Sequence, residues 1–196
     1  MSGDAAPVSA ARRWIEDAER VDLAVYAAIA RTPTPALDSA MSRLSQAADY
    51  SRLSLTAAAL LALSGGPRGR QAACMGVTSL AVTSAVANLV AKPLGRRRRP
   101  DRVTRDVPIA RHVPMPKSSS FPSGHSAAAF AFATGVGTVM PTAAVPLRAL
   151  AALVAYSRIH TGVHYPADVL TGAMMGTALA QLTTHALARR RPGRPG

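Results

Sequence analysis

Between Ser157 and Asp168 the chain reads S-R-I-H-T-G-V-H-Y-P-A-D, an arginine, two histidines and an aspartate within twelve residues, flanked by apolar runs. Gly162 and Pro166 interrupt any continuous helix, and Pro166 suits the first turn of a following one, which places Asp168 just inside that turn and His164 just before it. An aspartate there can accept the Nδ1–H of a histidine, fix its tautomer and make the other ring nitrogen a better nucleophile. Arg158, permanently charged and fork-shaped, suits a phosphate oxygen. The same residues would also serve as a loop capped by Asp168, or as a metal site built from His160, His164 and Asp168. The stretch by itself leaves all three open.

Two further clusters have a related character. One is Lys92-Pro-Leu-Gly-Arg96-Arg97-Arg98-Arg99-Pro100, and the other is Phe121-Pro122-Ser123-Gly124-His125-Ser126. Ser123 and Gly124 open an apolar run, where the N–H groups and positive dipole end of a helix favour a phosphate oxygen. His125 is an acid suited to neutral pH.

The elements that must position these clusters are helices. From Arg12 to Ala30, apolar residues recur at Trp14, Ala18, Val21, Val25 and Ile29 with charges between, the spacing of a helix with one apolar face. Its arginines beside Trp14 suit a membrane surface, and ordinary packing suits it equally. Thr32-Pro33-Thr34-Pro35 ends it, and a second helix carries Leu37, Met41, Leu44 and Ala48. Leu53–Leu63 is apolar but short for a span and would have to borrow residues upstream of Arg52. Gln71–Ala91 has no charged side chain and is long enough to cross a bilayer. Ser118–Leu147 is uncharged and broken near Met140-Pro141; Ala149–Ser157 is apolar between two arginines; Val169–Ala188 carries only His185. Gly172-x-x-x-Gly176 permits close approach of a neighbouring helix. The fold expected is all-α: a polytopic membrane bundle of about five or six core helices with an amphipathic N-terminal helix. Residues 1–10 are a disordered lead-in, 11–188 a single domain, and 189–196 a basic Pro/Gly tail. Helices crossing alternately bring the three clusters to one side, gathering Lys92, Arg99, Ser123, His125, Arg158, His164 and Asp168.

Such a collection opposes a multiply charged anion. Carboxylates are scarce in all three clusters, so no metal cage is expected. The chemistry that fits is phosphoryl transfer through a phosphohistidine, with fixed cations stabilising the transition state.

Composition agrees. The 196 residues carry a net charge of +13, and Lys92 and Lys117 are the only lysines, so the positive charge is almost wholly arginine. That balance suits a phosphorylated substrate, an anionic membrane or nucleic acid. Only 4% of residues are aromatic and no nucleic-acid module is recognisable, which sets aside a nucleic-acid partner. The single cysteine, Cys74, excludes an internal disulfide and reads as a small buried hydrophobe. A mean hydropathy of +0.13 is low for a polytopic membrane protein, yet two uncharged runs of about twenty residues lack the polar face of a soluble helix. Arg96, Arg97 and Arg98 read as a solvated or headgroup-facing run, His160 as structural, His112 and His185 as surface or packing residues, and Lys117 to Ser120 as loop.

In order, K-x-x-x-x-x-x-R-P (Lys92 to Pro100), P-S-G-H (Pro122 to His125) and S-R-x-x-x-x-x-H-x-x-x-D (Ser157 to Asp168) resemble the tripartite signature of the type 2 phosphatidic acid phosphatase superfamily, which includes lipid phosphate phosphatases and vanadium haloperoxidases. The resemblance implies a six-helix core and a hydrolase of lipid phosphates needing no cofactor. It implies His164 as nucleophile, Asp168 as its orienting partner and His125 as general acid. Lys92, Arg99, Ser123, Gly124 and Arg158 would bind the phosphoryl group. Expected substrates are a membrane lipid phosphate monoester, a polyprenyl diphosphate or decaprenylphosphoryl-5-phosphoribose. The uncharged runs speak against a haloperoxidase. Arg68, Arg70, Arg148, Arg189, Arg190, Arg191 and Arg194 fall on the face opposite the clusters, so by the positive-inside tendency that face is cytoplasmic and the clusters lie outside.

Overall fold

The structure, a computed structural model, describes residues 10–190. The expected lead-in up to residue 9 and the tail from residue 191, with Arg191 and Arg194, lie outside the described residues. All regular structure among the described residues is helical. In chain order the helices are α1 (Ala10–Arg31), α2 (Pro35–Ala47), α3 (Arg52–Ser64), α4 (Gly66–Gly95), α5 (Gly124–Gly137), α6 (Pro141–His160) and α7 (Pro166–Arg189).

Helix α5 is the axis. Ser126, Ala127, Ala128 and every residue from Ala131 to Val136 are buried, and α5 packs chiefly against α7 and α4, then α6. The close packing is made by small residues, as the Gly-x-x-x-Gly pattern predicts. A Cβ on Gly176 would stand 2.1 Å from the Ala127 carbonyl oxygen, and one on Gly172 would stand 2.4 Å from that of Ser123. Gly172 therefore holds α7 directly against the start of α5, where the second motif lies.

Helices α4 and α6 are long and apolar enough to cross a membrane. Helix α6 runs unbroken through Arg148 and Pro146, joining two stretches that the charge pattern divides. Helix α3 does not extend upstream of Arg52 as a span would need: Tyr50 and Ser51 both adopt left-handed backbone, φ 55° and 58°, which ends the helical path there. Near its end α4 widens into a π-helical turn, Ala87–Ala91. Pro93 explains it, because its ring has no N–H to give the carbonyl four residues back and would clash with it.

The two N-terminal helices are inverted relative to a soluble fold. On α1, Trp14, Ile15, Val21 and Val25 are exposed, while Asp22, Tyr26 and Ala30 face the bundle. On α2, Leu37 is exposed and Asp38, Ser42 and Ser45 are buried. The apolar stripe predicted for α1 is thus present but faces outward. Cys74 is likewise exposed, on the outer side of α4, rather than buried.

A buried polar clasp holds α1 and α2 to the rest. Arg111, fully buried, donates to Asp38 (2.8 Å) and to the carbonyls of Ile29 (2.9 Å), Ala30 (3.3 Å) and Thr32 (2.7 Å). Those carbonyls belong to the last turn of α1 and the turn after it, so the guanidinium caps the helix. His160 joins through Nε2 to Asp38 at 3.0 Å. Among the described residues no group of three or more His, Cys, Asp or Glu side chains is placed to hold a metal ion, so His160, His164 and Asp168 do not form such a site.

Candidate active site

Three segments remote in sequence are stitched together by main-chain and side-chain bonds. The Ser120 N–H donates to the Arg97 carbonyl and the Ser123 N–H to the Asp168 carbonyl, both at 2.9 Å. Arg99 donates from Nε to the Ser118 carbonyl (3.0 Å) and from a terminal nitrogen to that of Ser119 (3.2 Å). The first, second and third motifs are therefore one rigid unit.

His164 lies in the five-residue connection between α6 and α7, buried to 1% exposure. Its Nε2 stands 3.1 Å from Arg99. A guanidinium can only donate, so Nε2 carries the lone pair and the proton resides on Nδ1. Nδ1 faces Asp168, but at 3.6 Å, with the Ser120 hydroxyl 3.4 Å away. Burial pushes the His164 imidazole down to about 4, with Asp168 opposing and the positive charges of Arg99 and Arg158 adding to the shift. The ring is neutral at physiological pH.

Asp168 is fully buried and fully satisfied. It accepts from the Ser120 hydroxyl, from the Tyr165 N–H at 2.9 Å in a capping arrangement at the start of α7, and from Arg97 at 2.9 Å. Arg97 also donates to Asp22 of α1 at 2.6 Å and lies over the Tyr165 ring, 4.2 Å from its centroid. Asp22 in turn accepts from the Ala167 N–H at 2.7 Å. Arg97 is thus not part of a solvated run. The chain leaves α4 through Arg96 at φ 35° and continues extended, so alternate side chains point oppositely. Arg97 and Arg99 turn inward; Arg96 and Arg98 are exposed.

The second half of the site centres on His125, in the first turn of α5. Its Nε2 donates to Asp49 at 2.9 Å. A carboxylate only accepts, so this nitrogen bears the proton. The two imidazoles have opposite assignments, set by a donor-only partner on one and an acceptor-only partner on the other. Asp49 sits 3.6 Å from Arg158. Arg158, 1% exposed, donates to the Ser45 carbonyl (3.1 Å) and hydroxyl (2.6 Å), while its Nε has no partner. Lys92 donates to Asn88 at 2.9 Å, and its Nζ lies 3.4 Å from where a Cβ on Gly124 would be. The absence of a side chain at Gly124 leaves room for that ammonium over the start of α5. Ser123 N-caps α5, and its hydroxyl also accepts from Ser126 at 3.0 Å.

Every residue named from the motifs thus falls in one neighbourhood. Sequence reasoning missed Arg97, Asp22, Ser120 and Asp49. A cavity of about 170 Å³ opens beside His125 and Lys92, floored by Phe132, Leu150 and Val154 of α5 and α6.

Comparison with known proteins agrees with this geometry. The family model described as the PAP2 superfamily matches residues 72–192. A decaprenylphosphoryl-5-phosphoribose phosphatase of Mycobacterium tuberculosis is 37% identical over 130 residues, 63% of this chain and 67% of that one. Among solved structures, Aquifex aeolicus LpxE superposes with a TM-score of 0.69 at 23% identity, covering 84% of this chain and 95% of that chain. A transmembrane PAP2-type phosphatidylglycerolphosphate phosphatase from Bacillus subtilis superposes with a TM-score of 0.63 at 22% identity, covering 91% of this chain and 90% of that chain.

Proposed function

The chain belongs to the PAP2 superfamily, and from that premise we propose that it is a metal-independent phosphatase removing a phosphate monoester from a membrane lipid or polyprenyl-linked substrate. The observation that carries this reading is the complementary state of the two histidines: a lone pair on His164 Nε2 and a proton on His125 Nε2. The nucleophilic lone pair is in place before substrate arrives, and His125 becomes the acid when the anionic substrate brings a second proton onto its ring.

The substrate phosphoryl group sits among Lys92, Arg99, Arg158 and the Ser123–Gly124 start of α5, whose positive charges and N–H groups stabilise the developing negative charge. Arg99 turns its fork from Nε2 to a phosphoryl oxygen. His164 Nε2 attacks phosphorus, a P–N bond forms, and the P–O bond to the leaving oxygen breaks. His125, protonated on both ring nitrogens with the substrate bound, gives the Nε2 proton to that oxygen and is left neutral. Water then attacks phosphorus while the neutral His125 takes its proton, the P–N bond to His164 breaks, and inorganic phosphate leaves. Asp168 holds the Nδ1 side of His164 and stabilises the positive charge the ring acquires.

The outward apolar face of α1 and the exposed Leu60, Leu63, Leu89, Val90, Leu153, Leu170 and Leu182 support a lipid-embedded bundle with α1 lying in the interface. Arg68, Arg70, Arg148, Arg189 and Arg190 support an orientation with the site facing out of the cell. Labelling of a cysteine at Ile109, exposed on the loop that carries Arg111, by an impermeant reagent, in a protein whose Cys74 is replaced by serine, tests the orientation; no labelling of intact cells reverses it.

A polyprenyl-linked phosphosugar is the second reading, favoured by the 37% identity to the mycobacterial enzyme; a polyprenyl diphosphate is the third. The deciding experiment is phosphate release by the purified protein from a panel of lipid phosphates with EDTA present. Release that persists in EDTA is expected; release only with added magnesium refutes the metal-independent reaction.

A further inference from the structure

Asp49 is not among the groups that hold the phosphoryl group, yet it lies against His125, which protonates the leaving oxygen, and its neighbours Ala48, Tyr50 and Ser51 line the cavity beside that histidine. Asp49 lies at the junction of α2 and α3, followed by two residues in left-handed backbone, Tyr50 and Ser51. Strain of this kind is maintained only where the surroundings require a particular side-chain placement. Here it puts a carboxylate 2.9 Å from His125 Nε2 and 3.6 Å from Arg158.

We propose that Asp49 and the adjoining cavity select a leaving group that is uncharged and bears hydroxyls, a sugar or polyol, over one that is itself a phosphate. The inference rests on the phosphatase reading and narrows its substrate class. The oxygen that takes the proton of His125 must come within hydrogen-bond reach of Nε2. The substituent on that oxygen then sits against Asp49. A hydroxyl one or two atoms away donates to the carboxylate. A second phosphate, as in a diphosphate substrate, brings like charge against it.

The lining of the cavity gives an independent argument. Its polar side chains include Ser51, Ser54, Ser84 and Asn88, uncharged groups of the kind that hydrogen-bond a polyol, and Lys92 is the one lysine or arginine among its lining residues. Lys92 already serves the phosphoryl site beside Gly124. A diphosphate would bring its second charge against the Asp49 carboxylate, with Lys92 and Arg158 already engaged by the phosphoryl group.

The test compares three probes of equal tail length in detergent micelles: a dodecyl riboside 5-phosphate, dodecyl phosphate and dodecyl diphosphate. The wild-type protein is expected to show kcat/KM at least tenfold higher on the riboside phosphate than on the diphosphate, with dodecyl phosphate between. Asp49→Asn keeps a hydrogen-bonding oxygen and removes the charge, so it is expected to raise turnover of the diphosphate while retaining most turnover of the riboside. Asp49→Ala also frees the His125 ring, so it is expected to lower turnover of all three probes, with the riboside losing about tenfold more than dodecyl phosphate. Equal wild-type rates on the riboside and the diphosphate, or an equal loss on all three probes in both variants, overturn the proposal while leaving the phosphatase intact. No phosphate from any probe overturns the phosphatase reading itself.

Discussion

Replacing Arg97 with alanine isolates a contact that the motif does not name. The side chain, 27% exposed, makes charge-assisted bonds to Asp168 at 2.9 Å and to Asp22 at 2.6 Å, carboxylates that are 0% and 5% exposed. A hydrogen bond to a charged group contributes about 1.5–3 kcal/mol, and stripping the partner from a buried ion costs about 3–5 kcal/mol when nothing compensates. Compensation exists here. Asp168 keeps the Ser120 hydroxyl and the Tyr165 N–H, and Asp22 keeps the Ala167 N–H. The expected total is about 3 kcal/mol, at the lower edge of the uncompensated bracket. It divides between folding, through the loosened α1, and turnover, through an Asp168 no longer held beneath His164. A share of about 1.4 kcal/mol on the transition state is a tenfold loss of kcat. Thermal unfolding in detergent and phosphate release, measured on the same preparations, give the two shares. Arg96→Ala and Arg98→Ala are the controls; both side chains are exposed, and each substitution is expected to change stability by less than about 0.5 kcal/mol. Arg97→Lys is expected to fall between, since one ammonium does not match the fork that spans both carboxylates. Arg97→Ala behaving like the two controls in both measurements would refute the reasoning.

Other expectations are more direct. Asp168→Asn, which keeps the shape but neither the charge nor the tautomer control, is expected to remain folded and to slow phosphate release by several orders of magnitude, read by circular dichroism beside turnover. His164, held at about 4 by burial, stays neutral well below the ordinary histidine range. The acid limb of kcat/KM due to the nucleophile is therefore expected near pH 4, and a limb near 6.5 that persists when His125 is replaced would contradict it. The same shift has a sign for stability: the unfolded chain binds the proton first, so stability is expected to fall as pH drops from about 6.5 towards 4, and equal stability at both ends contradicts it. Arg111→Ala leaves Asp38 buried beside uncapped carbonyls and is expected to cost about 3–5 kcal/mol of stability, measured by thermal unfolding. Gly172→Ala drives a methyl into the Ser123 carbonyl and is expected to lower turnover more than Gly66→Ala lowers it, since a Cβ at Gly66 meets nothing within 4 Å and the backbone strain it adds at φ +60° falls at the other end of α4 from Lys92.

The residues legible in the sequence were those in which chemistry depends on type and short spacing. His125, His164 and Asp168 stand out because their neighbours are apolar, and the break at Pro166 placed Asp168 in the first turn of α7, where it is. The inverted helices were half legible. The 3.6-residue period of α1 was visible, but periodicity gives a face and not the side of that face on which the protein lies; Asp22 and Tyr26 on the inner side decide it. Arg97 was obscured by its neighbours, because four arginines in a row carry no hydropathy contrast. The extended backbone after Arg96 turns identical side chains alternately inward and outward, and that alternation is the signal by which Arg97 could have been found. Asp49 and Ser120 act across 76 and 48 residues of sequence respectively, through contacts that no local pattern announces.

The account stands or falls on whether phosphorus becomes bonded to His164. The direct measurement is to mix p-nitrophenyl phosphate, whose leaving group needs no proton, with the His125→Ala variant, which lacks the group that activates water, quench without acid and map phosphate on the peptides by mass spectrometry. The account predicts phosphate on the imidazole of His164, and none when His164→Ala is added to the same variant. Label on another residue, or none while phosphate is still being released, would contradict it.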